Sequence, residues 1–168
     1  GFQQTLTYIP FAPDSVTYAT LTNTSVPKNL TLNELKDIYS RNTGNCLYQP
    51  LQPQAGSGTL NFWIQNVLGF TSTTIGASGG PGTCVKNVNV AGASVQEHDG
   101  RVLTKNTQLV PFSVAQYISQ AAGVAQDQRG RSALLNAADH EIDAMIHGGA
   151  QRFVHAAEYR DERAFGAG

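Results

Sequence analysis

Residues 48–68 read YQPLQPQAGSGTLNFWIQNVL, and this stretch does most to decide the fold. Its first part, residues 48–54, is typical of a short strand that ends near Pro53. The segment AGSG that follows is a tight glycine turn. After it, the apolar residues Trp63, Ile64 and Val67 have the spacing of one helical face. A strand, a glycine turn and a helix in immediate succession indicate an α/β fold.

Further strands and helices are predicted on either side of this unit. Residues 15–19 alternate small or polar with apolar residues, and residues 109–113 form a second short extended segment. Thr31 and Glu34 form a capping box at the start of an amphipathic helix. Another helix follows residue 113 and ends at Gly123. We therefore expect strands and helices to be interspersed along the chain, as in an α/β fold.

The composition excludes several classes of function. Only 14% of the 168 residues are charged and the net charge is −1, against about 25% charged residues in an average globular protein. Such a chain has no field that would gather nucleic acid. A surface of small uncharged polar residues is typical of an exported protein. No apolar run reaches the ~18 residues that span a bilayer. The chain begins at Gly1 with neither Met nor an apolar signal segment, so we expect a processed or excised product. Together with the composition, this favours a secreted or otherwise extracytoplasmic protein.

Two cysteines, Cys46 and Cys84, lie in stretches rich in Gly, Asn, Thr and Pro. An even number of cysteines in an exported chain favours a disulfide, with two unpaired thiols as the alternative. Residues 70–93 lack a clear period and form an unusually long predicted loop. A disulfide at Cys84 would tie this loop to the rest of the fold.

The composition changes after Val124. The first 124 residues contain 11 Asp, Glu, Lys and Arg residues, whereas the last 44 contain 12 and three of the four histidines. We predict two units, a compact domain over 1–124 and a charged, partly helical C-terminal extension over 125–168. Within the extension we expect a helix between Ala133 and His147. Its apolar stripe would need a partner surface, for instance a second copy of the chain.

The turn Gly56-Ser57-Gly58-Thr59 carries the most chemistry. A glycine turn that opens a helix directs backbone N–H groups and the helix dipole toward one point, and the hydroxyls of Ser57 and Thr59 add donors there. This set favours binding of a tetrahedral oxyanion. The alternative is an ordinary turn in which Ser57 or Thr59 caps the helix. No Lys follows the glycines, so a nucleotide-binding P-loop is excluded.

Other candidate sites are better explained structurally. His140, Glu141, Asp143 and His147 do not match a metal-binding motif and are typical of a solvated helix. Glu97-His98-Asp99 is interpreted as part of a turn. Ser113 lacks a nucleophile elbow. We expect no metal, no cofactor and no catalytic residue.

Five segments together resemble the phosphate-binding proteins of bacterial phosphate importers, specifically the secreted actinobacterial type. They cover residues 8–124 in a consistent order, and in sequence they are residues 10–19, residues 30–39, residues 53–59, residues 95–100 and residues 110–117. Residues 53–59 resemble the phosphate loop of that family.

The resemblance implies a two-lobed protein with its ligand in the cleft, in which residues 1–124 are the second lobe of a type II periplasmic-binding-protein fold. It also implies that this lobe is a mixed sheet flanked by helices. The N-terminal lobe is missing from this chain. In that family the Ser-Gly-Thr run contacts phosphate, which carries over to Ser57, Gly58 and Thr59. Pro53 and Ala55 stand where the family usually has Arg and an acidic residue, so the ligand is in doubt.

The function expected from the resemblance is non-enzymatic binding of phosphate or a similar oxyanion, for import through an ABC transporter permease or for scavenging. One alternative is a secreted interaction module that has lost solute binding, which the residues at Pro53 and Ala55 favour. A phosphatase-like relative is the other alternative.

Overall fold

The computed structural model describes residues 14–88 and 91–137. They form a five-stranded mixed sheet flanked by helices, as the sequence predicts. The strands are β1 (Val16–Leu21), β2 (Asn29–Leu30), β3 (Gln49–Pro50), β4 (Gln108–Ser113) and β5 (Ser132–Ala137). Their order in the sheet is β2-β5-β1-β4-β3. Strand β1 is antiparallel to both β4 and β5, whereas β2 runs parallel to β5 and β3 parallel to β4.

The helices begin where the sequence provides caps. Helix α1 (Leu32–Ser40) starts at Thr31, whose hydroxyl oxygen accepts the Glu34 N–H while the Glu34 carboxylate accepts the Thr31 N–H. Helix α2 (Gly58–Asn61) continues directly into a π-helix, Phe62–Val67. Helix α3 (Val114–Ala121) follows β4 without a loop. The wider π-helical turns still bury Trp63 and Ile64, so the predicted helix is present with a different winding.

Strand β1 lies in the middle of the sheet and is covered on both faces. Tyr18 belongs to one apolar cluster, and Ala19 to another on the opposite face, as the alternation along a strand requires. Helix α1 and the π-helix cover the first face through Leu35 and Trp63. The second face is covered by residues that include Val102.

The C-terminal part of the chain differs from the prediction. Ser132–Ala137 forms β5, which pairs with β1 through Tyr18↔Leu135 and Ala19↔Leu134. The described part of the region predicted to contain a helix, Ala133 to Ala137, is therefore a strand, and β5 continues the sheet beyond residue 124. The reason is that the partly buried Leu134 and Leu135 pack against opposite apolar clusters of the sheet, as the alternation along a strand requires. The remaining residues of the predicted helix lie outside the described residues.

The predicted disulfide is present, with Cys46 and Cys84 joined at an S–S distance of 2.01 Å. It links the segment after α1 to the long loop, as expected. Close backbone packing supports the same junction: the Gly82 N–H donates to the Tyr39 carbonyl at 2.8 Å and the Cys84 N–H donates to the Arg41 carbonyl at 3.0 Å. The loop is thereby fixed at the C-terminal end of α1.

Candidate functional site

The turn before α2 has the geometry of a helix cap. Gly56 has a positive φ of 87°, a conformation that favours glycine. Ser57 is the N-cap residue, and its hydroxyl oxygen accepts the Leu60 N–H at 3.0 Å. Ser57 and Thr59 are buried at 3% and 6% exposure, whereas Gly56 and Gly58 are exposed. The capping alternative considered for Ser57 is therefore realised, and the glycine side of the turn remains open to solvent.

Thr59 binds a carboxylate that belongs to the protein itself. The Thr59 backbone N–H donates to Glu97 Oε1 at 3.1 Å, and the Thr59 hydroxyl donates a short hydrogen bond to the same oxygen. Part of the donor set predicted for an external oxyanion is thus satisfied by Glu97. These groups are able to hold one oxygen atom of an anion, because a backbone N–H and a hydroxyl of one residue converge on it.

The segment that carries Glu97 is anchored to the turn by its backbone. The Gln54 N–H donates to the Val95 carbonyl at 2.9 Å, and the Glu97 N–H donates to Gln54 Oε1 at 3.2 Å. Val95 is fully buried in the core. On the other side, the Gln120 amide donates to the His98 carbonyl at 2.9 Å. Glu97 is therefore held beside Thr59 from both directions.

His98 lies next to this pair. Its Nε2 is 3.3 Å from Glu97 Oε1, and its ring is 5.9 Å from the Phe112 ring. His98 has a positive φ of 61°, the only such non-glycine among the described residues. Its Nδ1 is buried without a hydrogen-bond partner in the part of the chain that the structure describes. A buried nitrogen without a partner is more costly when the ring must also carry a proton.

These contacts shift the pKa values of Glu97 and His98. Burial raises the pKa of Glu97, but hydrogen bonds from Thr59 and Ser57 and the neighbouring His98 outweigh burial and hold this pKa below its ordinary value. Burial lowers the pKa of His98, and the charges of Glu97 and Asp14 oppose this only in part. At neutral pH, Glu97 is therefore a carboxylate and His98 is neutral.

A second carboxylate caps the neighbouring helix. Ser113 is the N-cap of α3, where its hydroxyl oxygen accepts the Gln116 N–H at 3.1 Å. The Ser113 hydroxyl donates to Asp14 Oδ2 at 2.6 Å, and the Ala115 N–H donates to Asp14 Oδ1 at 3.1 Å. Both helix N-termini near His98 are thus neutralised by acidic side chains of the protein. Ser113 has a structural role in this arrangement.

The positions expected to carry an Arg and an acidic residue are occupied by buried Pro53 and exposed Ala55. Three described arginines, Arg41, Arg101 and Arg129, are each paired with an aspartate two or four residues away. Residues 53–59 contain no basic residue, so the turn itself offers only neutral donors. The sequence alone predicts only a turn at Glu97 and His98, because no local signal connects Glu97 with Thr59, which is 38 residues away.

Within residues 14–88 and 91–137, no group of three or more His, Cys, Asp or Glu side chains is arranged to hold a metal ion. His140, Glu141, Asp143 and His147 lie outside the described residues. So does the start of the first resembling segment, residues 10–13. Of the helices in the described ranges, none is long and apolar enough to cross a membrane.

Comparisons with known proteins give one structural similarity. No family model matches the chain, and no curated protein matches it. One solved structure, "a possible phosphate binding protein from Planctomyces limnophilus DSM 3776", aligns with a TM-score of 0.47 and 15% sequence identity. The alignment covers 77% of this chain and 43% of that one, so the chain spans less than half the length of that protein.

Proposed function

We propose that this chain is part of an extracytoplasmic solute-binding protein, and that the turn Gly56-Ser57-Gly58-Thr59 contacts a phosphate or a similar oxyanion. The observation that supports the proposal best is the carboxylate of Glu97 at Thr59. A backbone N–H and a hydroxyl there already hold one anionic oxygen. The exposed glycines beside them leave room for a ligand to approach.

A second lobe fits this proposal. The turn has neutral donors only, and Pro53 stands where a bidentate Arg would strengthen binding. A partner lobe that closes over the turn would add donors and exclude water, which strengthens every hydrogen bond to the anion. For this chain alone we expect a dissociation constant of about 1 mM, or about −4 kcal/mol. Delivery to an ABC transporter permease would be the role of the two-lobed protein.

An extracytoplasmic location is supported by the disulfide. Cys46 is exposed and Cys84 is 1% exposed, and both described cysteines are in the bridge. Structural disulfides persist in oxidising compartments and are rare in the cytosol. The small charged fraction of the sequence agrees with this location.

Isothermal titration with phosphate, sulfate and arsenate tests the proposal directly. We expect weak, saturable binding of phosphate and arsenate, which share shape and charge. Replacing both Ser57 and Thr59 with Ala is expected to weaken binding by about 1–3 kcal/mol for each lost donor. The exposed Ser78→Ala variant is the control and should bind as the parent does. Unchanged binding by the double variant would show that the turn is only a cap.

The second candidate function is an interaction module that no longer binds a solute. The same Glu97 contact favours it, because a turn filled by the protein's own side chain needs no ligand. Absence of saturable binding for all three oxyanions, also in a two-lobed form of the protein, would favour this candidate.

A further inference from the structure

We propose that Glu97 is a latch that occupies the oxyanion site of the ligand-free protein and leaves it when a solute binds. This inference rests on the proposed function of the Ser57–Thr59 turn. It assigns to Glu97, a residue outside the turn, control over the affinity of the turn for an anion. The juxtaposition that carries it is a single oxygen, Glu97 Oε1, which accepts both Thr59 donors and lies 3.3 Å from His98 Nε2.

The backbone around Glu97 is fixed, whereas its carboxylate is held by hydrogen bonds from Thr59 and Ser57 that a solute would have to replace. The hydrogen bonds of Val95 and Glu97 with Gln54, and of His98 with Gln120, all involve the main chain of the 95–98 segment. They would remain if only the side-chain torsions of Glu97 changed. The Glu97 side chain is 25% exposed, so a rotation would carry the carboxylate into water and not deeper into the core.

Glu97 and an anionic solute compete for the turn, because both are negatively charged and both need the same two Thr59 donors. A second anion cannot share the Thr59 N–H and hydroxyl with a carboxylate at hydrogen-bond distance without strong repulsion between like charges. The carboxylate of Glu97 must therefore move before Thr59 can bind an oxygen of the solute. The free energy needed to displace the Glu97 carboxylate lowers the apparent affinity of the turn for the solute.

The replacement Glu97→Gln separates charge from shape. The amide oxygen of Gln still accepts the Thr59 donors, so the cap and the 95–98 segment stay in place, while the negative charge is lost. Asp99→Asn is the matched control. It removes one negative charge from the same segment at a side chain that binds Arg101 instead of the turn.

The experiment titrates phosphate into the 168-residue chain and both variants, with the Thr59 amide resonance followed by NMR in parallel. We expect Glu97→Gln to bind phosphate about tenfold more tightly and Asp99→Asn to bind within about twofold of the parent. In the parent, the Thr59 amide signal should change on titration as Glu97 leaves and phosphate arrives.

Two results would overturn the latch, and they can be told apart. Measurable binding by the parent that Glu97→Gln leaves unchanged or weakens would refute the latch alone and leave the proposed function intact. Failure of the parent and of Glu97→Gln to bind phosphate at all would refute both, since a turn without the competing negative charge would then still reject the anion. Melting temperatures of the variants verify that each is folded.

Discussion

At the scale of single residues, Ser57 is important both for the stability of α2 and for the proposed oxyanion site. The Ser57 hydroxyl oxygen caps α2, and the Ser57 side chain is almost fully buried. The sequence alone does not decide whether this hydroxyl caps the helix or faces a ligand, because both roles use the same residue types. The position of the Leu60 N–H, which follows from how the helix is wound, assigns the hydroxyl oxygen to the cap, while the hydroxyl group also forms a hydrogen bond with Glu97.

Replacing Ser57 with Ala should reduce stability by about 1 kcal/mol, since the N-terminal N–H groups of α2 lose their acceptor. Urea denaturation of the variant measures this loss. Ser78→Ala removes an exposed hydroxyl from the long loop and serves as the control, with an expected change within about 0.5 kcal/mol. Equal midpoints for the two variants would show that the cap contributes nothing.

The lowered pKa of His98 makes stability depend on pH. An unfolded His98 takes up its proton near its ordinary value of 6.5, whereas burial delays protonation in the folded protein to lower pH. Protonation therefore favours the unfolded state, and the stability that is complete above pH 6.5 is lost as pH falls through this window. The lowered pKa of Glu97 acts with the same sign at more acidic pH.

His98→Asn tests this dependence, since Asn tolerates the positive φ of 61° that His98 adopts. The free energy of unfolding should fall from pH 7 to pH 5 in the parent and fall less steeply in the variant. The slopes are compared, so a uniform loss of stability in the variant does not affect the outcome. Identical slopes would mean that His98 is not protonated differently in the two states.

At the scale of elements, helices with caps could be predicted best. The capping box of Thr31 and Glu34 places the start of α1 correctly, and Gly123 lies just beyond the end of α3. The winding of the helix after α2 could not be predicted. A π-helix has the same apolar composition as an α-helix and is selected by packing, here by Trp63 and Ile64 against the sheet.

The junction between α1 and the long loop depends on Gly82. A methyl group there would lie 2.2 Å from the Arg41 carbonyl oxygen and 2.3 Å from that of Ser40. We expect Gly82→Ala to destabilise the protein by about 1–3 kcal/mol, because backbone must shift to make room. Gly58→Ala is the control, with no atom within 4 Å of the added methyl group. Thermal unfolding measures the stability of both variants. Equal stability of the two would show that the backbone at the junction accommodates the methyl group without strain.

The disulfide stabilises the same junction covalently. Cys46 and Cys84 are 38 residues apart, and in the chain-entropy model a loop of this length contributes roughly 3–4 kcal/mol. The double replacement Cys46→Ala and Cys84→Ala should lower the guanidinium midpoint accordingly. Addition of a reductant to the parent should have a similar effect and should leave the double variant unchanged. Equal stability with and without the bridge would contradict this account.

At the scale of the whole molecule, the sequence predicted the fold class but not the extent of the folded unit. The change in charge after Val124 suggested a separate extension, yet β5 lies between β1 and β2 in the sheet. The charge content of a segment indicates how much of it is exposed to solvent, but it does not indicate which strand the segment pairs with. Strand pairing over more than 100 residues, such as that of Ala19 with Leu134, leaves no local pattern.

The position of β5 predicts that residues beyond 124 are required for folding. A truncation after Val124 would remove the strand that pairs with β1 along Tyr18 to Leu21 and would uncover one edge of the central strand. We expect the truncated protein to lack a cooperative unfolding transition. A single change in the full chain tests the same point without truncation. Leu135→Asp places a charge against the first apolar cluster and should cost about 3 kcal/mol or more.

Val124→Asp is the matched control for that change, because Val124 is 82% exposed and its replacement should leave stability within about 0.5 kcal/mol of the parent. Chemical denaturation followed by Trp63 fluorescence is a suitable measurement, since this indole is fully buried in the same apolar cluster that Leu135 packs against. A Leu135→Asp variant as stable as the control would place residues 132–137 outside the core. A cooperative transition in the truncated protein would restore the boundary at residue 124 that the sequence suggested.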